Sequence, residues 1–415
     1  MKTKSLIFLI TLSYCKLYGQ HIGAFVRTGN FWGVITDKNE FIIDSTFNAI
    51  YSPVFEHFPP PISSKIIYSP CDGTFKYRER NRFGFIDGNG KIIIQAQFDE
   101  ASDFCNGFAI VMRNSKYGII NKNGEFLFDP VTYKILGLSE GKALIQNSQF
   151  KYGFISKDGQ LIVKPIYKEA KVFREGLACV RDKNKWGYIN EKGDWSIKPK
   201  YDEASDFING QAIVRISGKY GIINKSDAFT VEPQFEDIGI LSEGTYKVKK
   251  NSMYGFIDTS GNVIIDIVYK DARNFSEGLA VINENDAWGA IDKNANLVLK
   301  PIYEKVYNCC ESSIRIKDYL GWRFFKKDGT ELTKDRYESA EDFAEGLARV
   351  KHNDLWGYID EEGKIIVDFR YFRAYDFIQG TARIKTSDGW GYIDKAGNVI
   401  IKPIFRNAED FFLIY

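Results

Sequence analysis

Short apolar runs of strand length, separated by Gly, by Asn/Asp-Lys pairs and by Pro, recur along the chain. In one stretch they predict three strands: Leu177 to Arg181, Trp186 to Ile189, and Trp195 to Lys198. The segment Tyr201-Asp202-Glu203-Ala204-Ser205-Asp206-Phe207 follows, and its aromatic ends and spaced Ala predict one helical or 3₁₀ turn capped by Asp. The third strand is often apolar at three consecutive positions, as in Ile92-Ile93-Ile94 and Ile365-Ile366-Val367. Such runs predict burial on both faces, which requires neighbouring units to stack.

The pattern has a fixed period. An aromatic residue followed by Gly occurs at Trp32, Phe83, Tyr117, Tyr152, Trp186, Tyr220, Tyr254, Trp288, Trp356 and Trp390, and Trp322 keeps the phase although Arg323 replaces its Gly. From Tyr152 onward the step is 34 residues; the earlier steps are 51, 34 and 35. The long first step places an insertion at about residues 48–72. Seven residues after the aromatic stands Gly in eight units, Asn39 and Asp227 in two more, and Ala295 in the last. Gly, Asn and Asp tolerate a left-handed backbone, so this is a hairpin loop with the Gly at positive φ. Thirteen residues after the aromatic comes Pro130, Pro165, Pro199, Pro233, Pro301 or Pro403, which predicts the end of the third strand. Another Gly stands ten residues before the aromatic, as in Glu175-Gly176-Leu177-Ala178.

A lone three-stranded sheet of this size is marginal, so the units must share a core. The fold expected is all-β: a tandem array of about eleven 34-residue three-stranded antiparallel units with a short helical turn each, forming an open curved solenoid. The alternative is a closed propeller-like ring. The chain stops at Tyr415 before the strand that should follow, and Gly23-Ala24-Phe25-Val26 resembles that missing strand. Eleven units exceed the usual four to eight blades of a propeller, which favours the open form.

The spaced features resemble the WG (KWG) repeat of bacterial proteins: aromatic-Gly, Tyr/Phe-Ile-Asp-Lys-x-Gly, an Ile/Val run, Pro-x-Tyr/Phe-Asp-Glu-Ala and Phe-x-Glu-Gly-Leu-Ala. The resemblance covers nearly the whole chain and is weakest in the first unit and around Trp322. It implies a β-rich repeat scaffold and no common activity, so it supplies no functional residues.

Residues 1–20 read as a secretory signal peptide, with Lys2 and Lys4 before an apolar core from Leu6 to Leu12 and a small Gly19 before Gln20. Residues 21–415 then form a single array. The destination expected is the periplasm, the cell surface or the exterior; a lipoprotein through Cys15 is disfavoured by the bulky Tyr14. No apolar run is long enough to span a bilayer. The formal charge is +2 with no long basic run, which disfavours nucleic acid as a partner. Five cysteines remain beyond Cys15, without CxxC spacing and with only three His, so zinc sites of the usual spacing and a disulfide scaffold are not expected.

Periodic aromatics suggest sugar binding, but core packing explains them more simply. The recurring acids (Asp99, Glu100, Asp103; Asp202, Glu203, Asp206; Glu338, Glu341, Asp342) suggest calcium or paired-carboxylate chemistry, yet turn capping and solvation suffice. Cys309-Cys310 reads as buried structural thiol or vicinal disulfide, with Cys309 at a position held elsewhere by Phe. The insertion carries His57, Pro59, Pro60, Pro61, Ser63 and Lys65, a recognition loop if it projects from a rigid scaffold and otherwise a tolerated surface insertion. No catalytic, cofactor or metal residues are assigned. The function expected is an exported scaffold binding a protein, peptide or glycan. A cell-envelope structural protein is the alternative, and an enzyme using the insertion comes last.

Overall fold

The computed structural model describes residues 21–28, 31–47, 49–51, 66–68, 73–88, 90–105, 107–128, 130–410 and 412–414. Residues 1–20, expected to be a signal peptide and including Cys15, together with Cys71 and the loop residues His57, Pro59, Pro60, Pro61, Ser63 and Lys65, lie outside them. Eleven antiparallel sheets follow one another along the chain, most with four strands. We number these blades 1 to 11 by their aromatic-Gly strand, from Trp32 to Trp390.

Blade 5 shows the unit. Its strands are Glu169–Ala170, Leu177–Asp182, Lys185–Asn190 and Trp195–Tyr201, hydrogen-bonded in that order. Two features differ from the sequence expectation. The segment expected as a helical turn is a two-residue strand followed by a two-residue turn, and no helix occurs among the described residues. Each regular unit therefore has four strands, not three. At the turn, Glu175 (φ 52°) and Gly176 (φ 81°) are both left-handed, and Arg174 and Leu177 exchange backbone hydrogen bonds across it. Two left-handed residues match the twist of the flanking strands, so a tight hairpin replaces the helix.

The loop after the aromatic-Gly strand is as expected. Gly193 (φ 86°) occupies the left-handed position, and Asn190 Oδ1 accepts from Lys192 N at 2.9 Å and Asp194 N at 3.0 Å. Asn39, Asp227 and Ala295 are also left-handed there. Proline, however, does not end the fourth strand: Pro199 lies inside Trp195–Tyr201. The pairing register shifts between Trp186 and Tyr188, so the strand bulges past Gly187. That bulge, and the strand's position at the sheet edge, spare the proline a ladder donor. The same edge position corrects the burial expected for the apolar triplets. Val367 is buried, but Ile365 is 42% exposed. Burial on both faces belongs instead to the aromatic-Gly strand, where Gly187, Tyr188 and Ile189 are all buried.

Neighbouring sheets share their cores. Cys179, Tyr188 and Ile197 of blade 5 pack with Phe207, Val214 and Ile223 of blade 6. The array closes into a ring, an eleven-blade propeller, and the expected open solenoid gives way to its alternative. Val26 pairs with Ala408 and Arg27 with Asn407; Glu409 N donates to Phe25 O at 2.8 Å. His21–Gly23 pair further with Phe412–Ile414. Ala24, Val26 and Ile35 complete a core with Tyr392, Ile401 and Ala408, so the two chain ends build one sheet between them.

Three units are irregular; blade 3 keeps Gly118 yet has only isolated bridges in place of its fourth strand. In blade 2, Ala49–Tyr51 pair in parallel with Ile66–Tyr68, so the strands flanking the insertion both enter the sheet. In blade 9, Arg323 fills the space that Gly leaves elsewhere, and only isolated bridges remain of the fourth strand. Arg323 pairs with Asp318 and Glu331, and Arg336 joins both. Cys309 and Cys310 are free thiols, and burial raises them to about 12 and about 11 respectively.

Candidate functional site at the junctions of blades 10, 11 and 1

The recurring polar residues are largely occupied. Asp99 Oδ2 accepts from Asn114 N at 2.8 Å, and Glu236 accepts from Asn251 N and Ser252 N, so these acids cap turns. Glu203 pairs with Arg215 at 2.7 Å, and Asp103 with Lys76 at 3.1 Å. No group of three or more His, Cys, Asp or Glu among the described residues could hold a metal ion. The aromatics of the aromatic-Gly pairs are mostly half-buried against the core, often beneath a basic side chain. A distinctive site must therefore come from positions where one unit departs from its neighbours.

Such positions cluster where blade 10 meets blade 11 and blade 11 meets blade 1. Strand pairing places Glu169 opposite Arg181 in blade 5, Glu203 opposite Arg215 in blade 6, and Asp237 opposite Lys249 in blade 7. The equivalent pairs are Ser339 with Lys351 in blade 10, Arg373 with Lys385 in blade 11, and Asn407 with Arg27 in blade 1. The acid column has turned neutral or basic. One position earlier, where Asp202, Glu236 and Glu338 alternate with Lys168 and Lys270, stand Phe372 and Arg406. Arg373, Lys385, Arg406 and Arg27 have no carboxylate partner among the described residues, whereas Lys351 pairs with the exposed Asp354 at 2.7 Å.

Beneath the surface the same junctions carry buried arginines. Arg349 reaches Asp376 at 2.7 Å and donates to Ala374 O at 2.7 Å, while its guanidinium lies 5.4 Å from the Trp356 ring and 5.5 Å from that of Tyr375. Arg383 sits 3.9 Å from Tyr375 and 5.2 Å from Trp390, with Asp410 3.2 Å and Glu409 3.5 Å away. Burial raises the carboxyls of Asp410 and Glu409 despite this arginine. These arginines hold the blades together and fix the rings from behind.

An open cleft of about 420 Å³ lies over the first junction, lined by Arg349, Lys351, Trp356, Phe372, Arg373 and Tyr375 among others. Phe372 is 57% exposed. It stands beside the half-buried Trp356 and Tyr375 and next to Arg373, the one cation of this cleft without a carboxylate partner among the described residues. A second cleft, of about 360 Å³, lies between blades 3 and 4 and is mostly apolar, with Phe108, Ile110, Leu127 and Leu138 in its wall.

Sequence reading missed this site because its residues are scattered from 27 to 406 and the total charge is nearly balanced. The signal was there in the aligned units: the column containing Glu169, Glu203, Asp237 and Asp271 reads Arg at 373. Folding brings Arg373, Lys385, Arg406 and Arg27 to adjoining junctions, a grouping that no basic run displays.

No helix among the described residues is long and apolar enough to cross a membrane. The chain is similar to several solved structures at very low identity. A eukaryotic initiation factor shares 10% identity over 95% of this chain and 98% of its own, with a TM-score of 0.42. PorZ, a surface component of the type-IX secretion system of Porphyromonas gingivalis, shares 8% over 89% of this chain and 62% of its own, with a TM-score of 0.24. Kluyveromyces lactis Hsv2p shares 11% over 45% and 71%, with a TM-score of 0.27. None of these likenesses is close enough to carry an argument. No curated protein matches the sequence. The WG containing repeat, by contrast, matches ten segments that together run from residue 83 to residue 412, and the chain belongs to the WG-repeat family.

Proposed function

We propose that this protein is a non-catalytic binding scaffold, exported by its N-terminal segment, that takes a protein, peptide or glycan ligand at the cleft between blades 10 and 11. The observation that carries the reading is the convergence of Trp356, Tyr375 and the exposed Phe372 with Arg373, which has no carboxylate partner among the described residues. A rigid closed ring holds these groups at fixed spacing, which reduces the entropy lost on binding. Many polar residues of the other units are engaged in caps and ion pairs, as Glu236 and Glu203 are.

The test is to screen residues 21–415 against peptide and glycan arrays, then repeat the screen with the Trp356→Ala, Tyr375→Ala double variant. Ligands retained by the wild type should be lost from the variant while its circular dichroism stays unchanged. Equal retention by both proteins, or a turnover abolished by one substitution away from this cleft, would refute the proposal.

A further inference from the structure

The geometry points to an acidic polysaccharide with widely spaced carboxylates, about one per disaccharide, as the ligand of the basic arc across blades 10, 11 and 1. The inference rests on the scaffold reading above and names the substrate class of that same surface. Lys351, Lys385 and Arg27 occupy one equivalent position in three successive blades, each on the strand that faces the aromatic-Gly strand. Packed sheets lie about 10 Å apart, so these cations repeat at roughly that interval. Arg373 and Arg406 add a second cation at each junction, and Arg373 stands directly opposite Lys385.

Two like charges placed opposite each other on neighbouring strands destabilise a sheet. Blades 5 and 6 avoid that cost by placing Glu where blade 11 has Arg373. In blade 9, where Lys305 stands opposite Lys317, Glu304 lies 2.8 Å from Lys317 and relieves the repulsion; in blade 11 an anion seated between Arg373 and Lys385 would take that role. The interval selects among anions. Nucleic-acid phosphates follow every ~3.4 Å along a duplex strand, so a cation each blade would leave most of them unmatched. A polysaccharide with one uronate per disaccharide matches cations that are far apart, and its intervening sugar faces the ring side chains. Trp356 and Phe372 remain open for that contact, whereas Trp390, only 6% exposed, serves to support Lys385, whose Nζ lies 5.5 Å from its ring.

Hyaluronan, with one carboxylate per disaccharide, is the probe, with neutral dextran and single-stranded polyuridylate as comparisons. Residues 21–415 should bind hyaluronan with an affinity that falls as salt rises, and should leave dextran unbound. The Arg373→Glu, Lys385→Glu double variant should lose about tenfold or more in affinity. Lys198→Glu, an exposed cation of blade 5 away from the arc, should lose little. Absence of hyaluronan binding to the wild type, an equal loss in Lys198→Glu, or tighter binding of polyuridylate would each overturn the inference. If these fail while the Trp356→Ala, Tyr375→Ala variant still loses ligands from the arrays, only the polysaccharide assignment falls; if that variant also loses nothing, the scaffold reading falls with it.

Discussion

Glu345 of blade 10 closes on the backbone of Gly380 in blade 11, with its two carboxylate oxygens 2.8 Å from Gln379 N and 2.9 Å from Gly380 N. The same clamp joins Glu140 to Glu175 and Gly176, Glu175 to Asn209 and Gly210, Glu277 to Glu311 and Ser312, and Glu311 to Glu345 and Gly346. A turn with Glu at this position thus presents two amides to one neighbour and a carboxylate to the other, whereas Asn209 and Gln379 supply amides alone. Lysines reinforce the chain: Lys395 Nζ lies 2.9 Å from Glu345 O and 3.2 Å from its Oε2. The Glu of the Glu-Gly-Leu-Ala segment is therefore an inter-blade fastener.

Glu345→Ala should cost about 1–3 kcal/mol, because two charge-assisted hydrogen bonds vanish and two backbone donors lose their partner. Glu345→Gln should cost less, since the amide keeps one acceptor. Urea unfolding followed by tryptophan fluorescence reads both. A midpoint in Glu345→Ala equal to that of the wild type would show that the clamp is ornamental.

Acid should loosen the same chain. Burial pushes the Glu175 carboxyl up, but the hydrogen bonds from Lys225, Gly210 and Asn209 outweigh it and hold the group below its ordinary 4.5. A carboxyl depressed in the folded state contributes its stability fully above the unfolded value and loses it as pH falls through the folded value. Stability measured from neutral pH downward should therefore drop below about pH 4.5, and the drop should be shallower in Glu175→Gln. Parallel curves for the two proteins would assign the acid branch elsewhere.

Gly357 and Gly187 meet the backbone of the fourth strand. A Cβ on Gly357 would lie 2.5 Å from Val367 O, and one on Gly187 2.6 Å from Ile197 O. Backbone atoms cannot yield as a flexible side chain does, so valine at either site should cost at least about 1–3 kcal/mol and loosen the fourth strand. Melting temperatures unchanged in both valine variants would remove the packing argument.

Much of this fold was legible because it is periodic. The left-handed loop Gly, the close approach at Gly187 and the shared core follow from residue types at fixed spacing. The helical turn was misread because Asp-Glu-Ala-Ser-Asp looks like a capped helix locally, whereas Glu175-Gly176 dictates a two-residue hairpin turn and the segment is needed to pair with the strand beginning at Leu177. Closure was harder to see, because it depends on the sum of small rotations between blades, and no single unit encodes that sum. The binding surface was hidden for the opposite reason. Periodicity draws the eye to what repeats, and Phe372, Arg373 and Arg406 matter because they do not.

Closure itself is open to test at Ala408, which is 3% exposed and pairs with Val26 at the meeting of the two chain ends. Its neighbours there are Ala24, Val26, Ile35 and Tyr392, all buried, and the Arg383 guanidinium that donates to Ala408 O is already shared by Glu409 and Asp410, so a carboxylate placed at 408 would be a third acid in a closed seam. Burying a charge without a partner costs several kcal/mol, more than a short two-residue pairing returns, so Ala408→Glu should separate the ends before it unfolds the blades. The expected result is a larger radius of gyration in solution scattering with β-type circular dichroism retained. Because each blade packs mainly on its two neighbours, the rest of the array should persist as an open arc. A variant that keeps the wild-type radius and melting temperature would mean that the seam does not hold the ring shut.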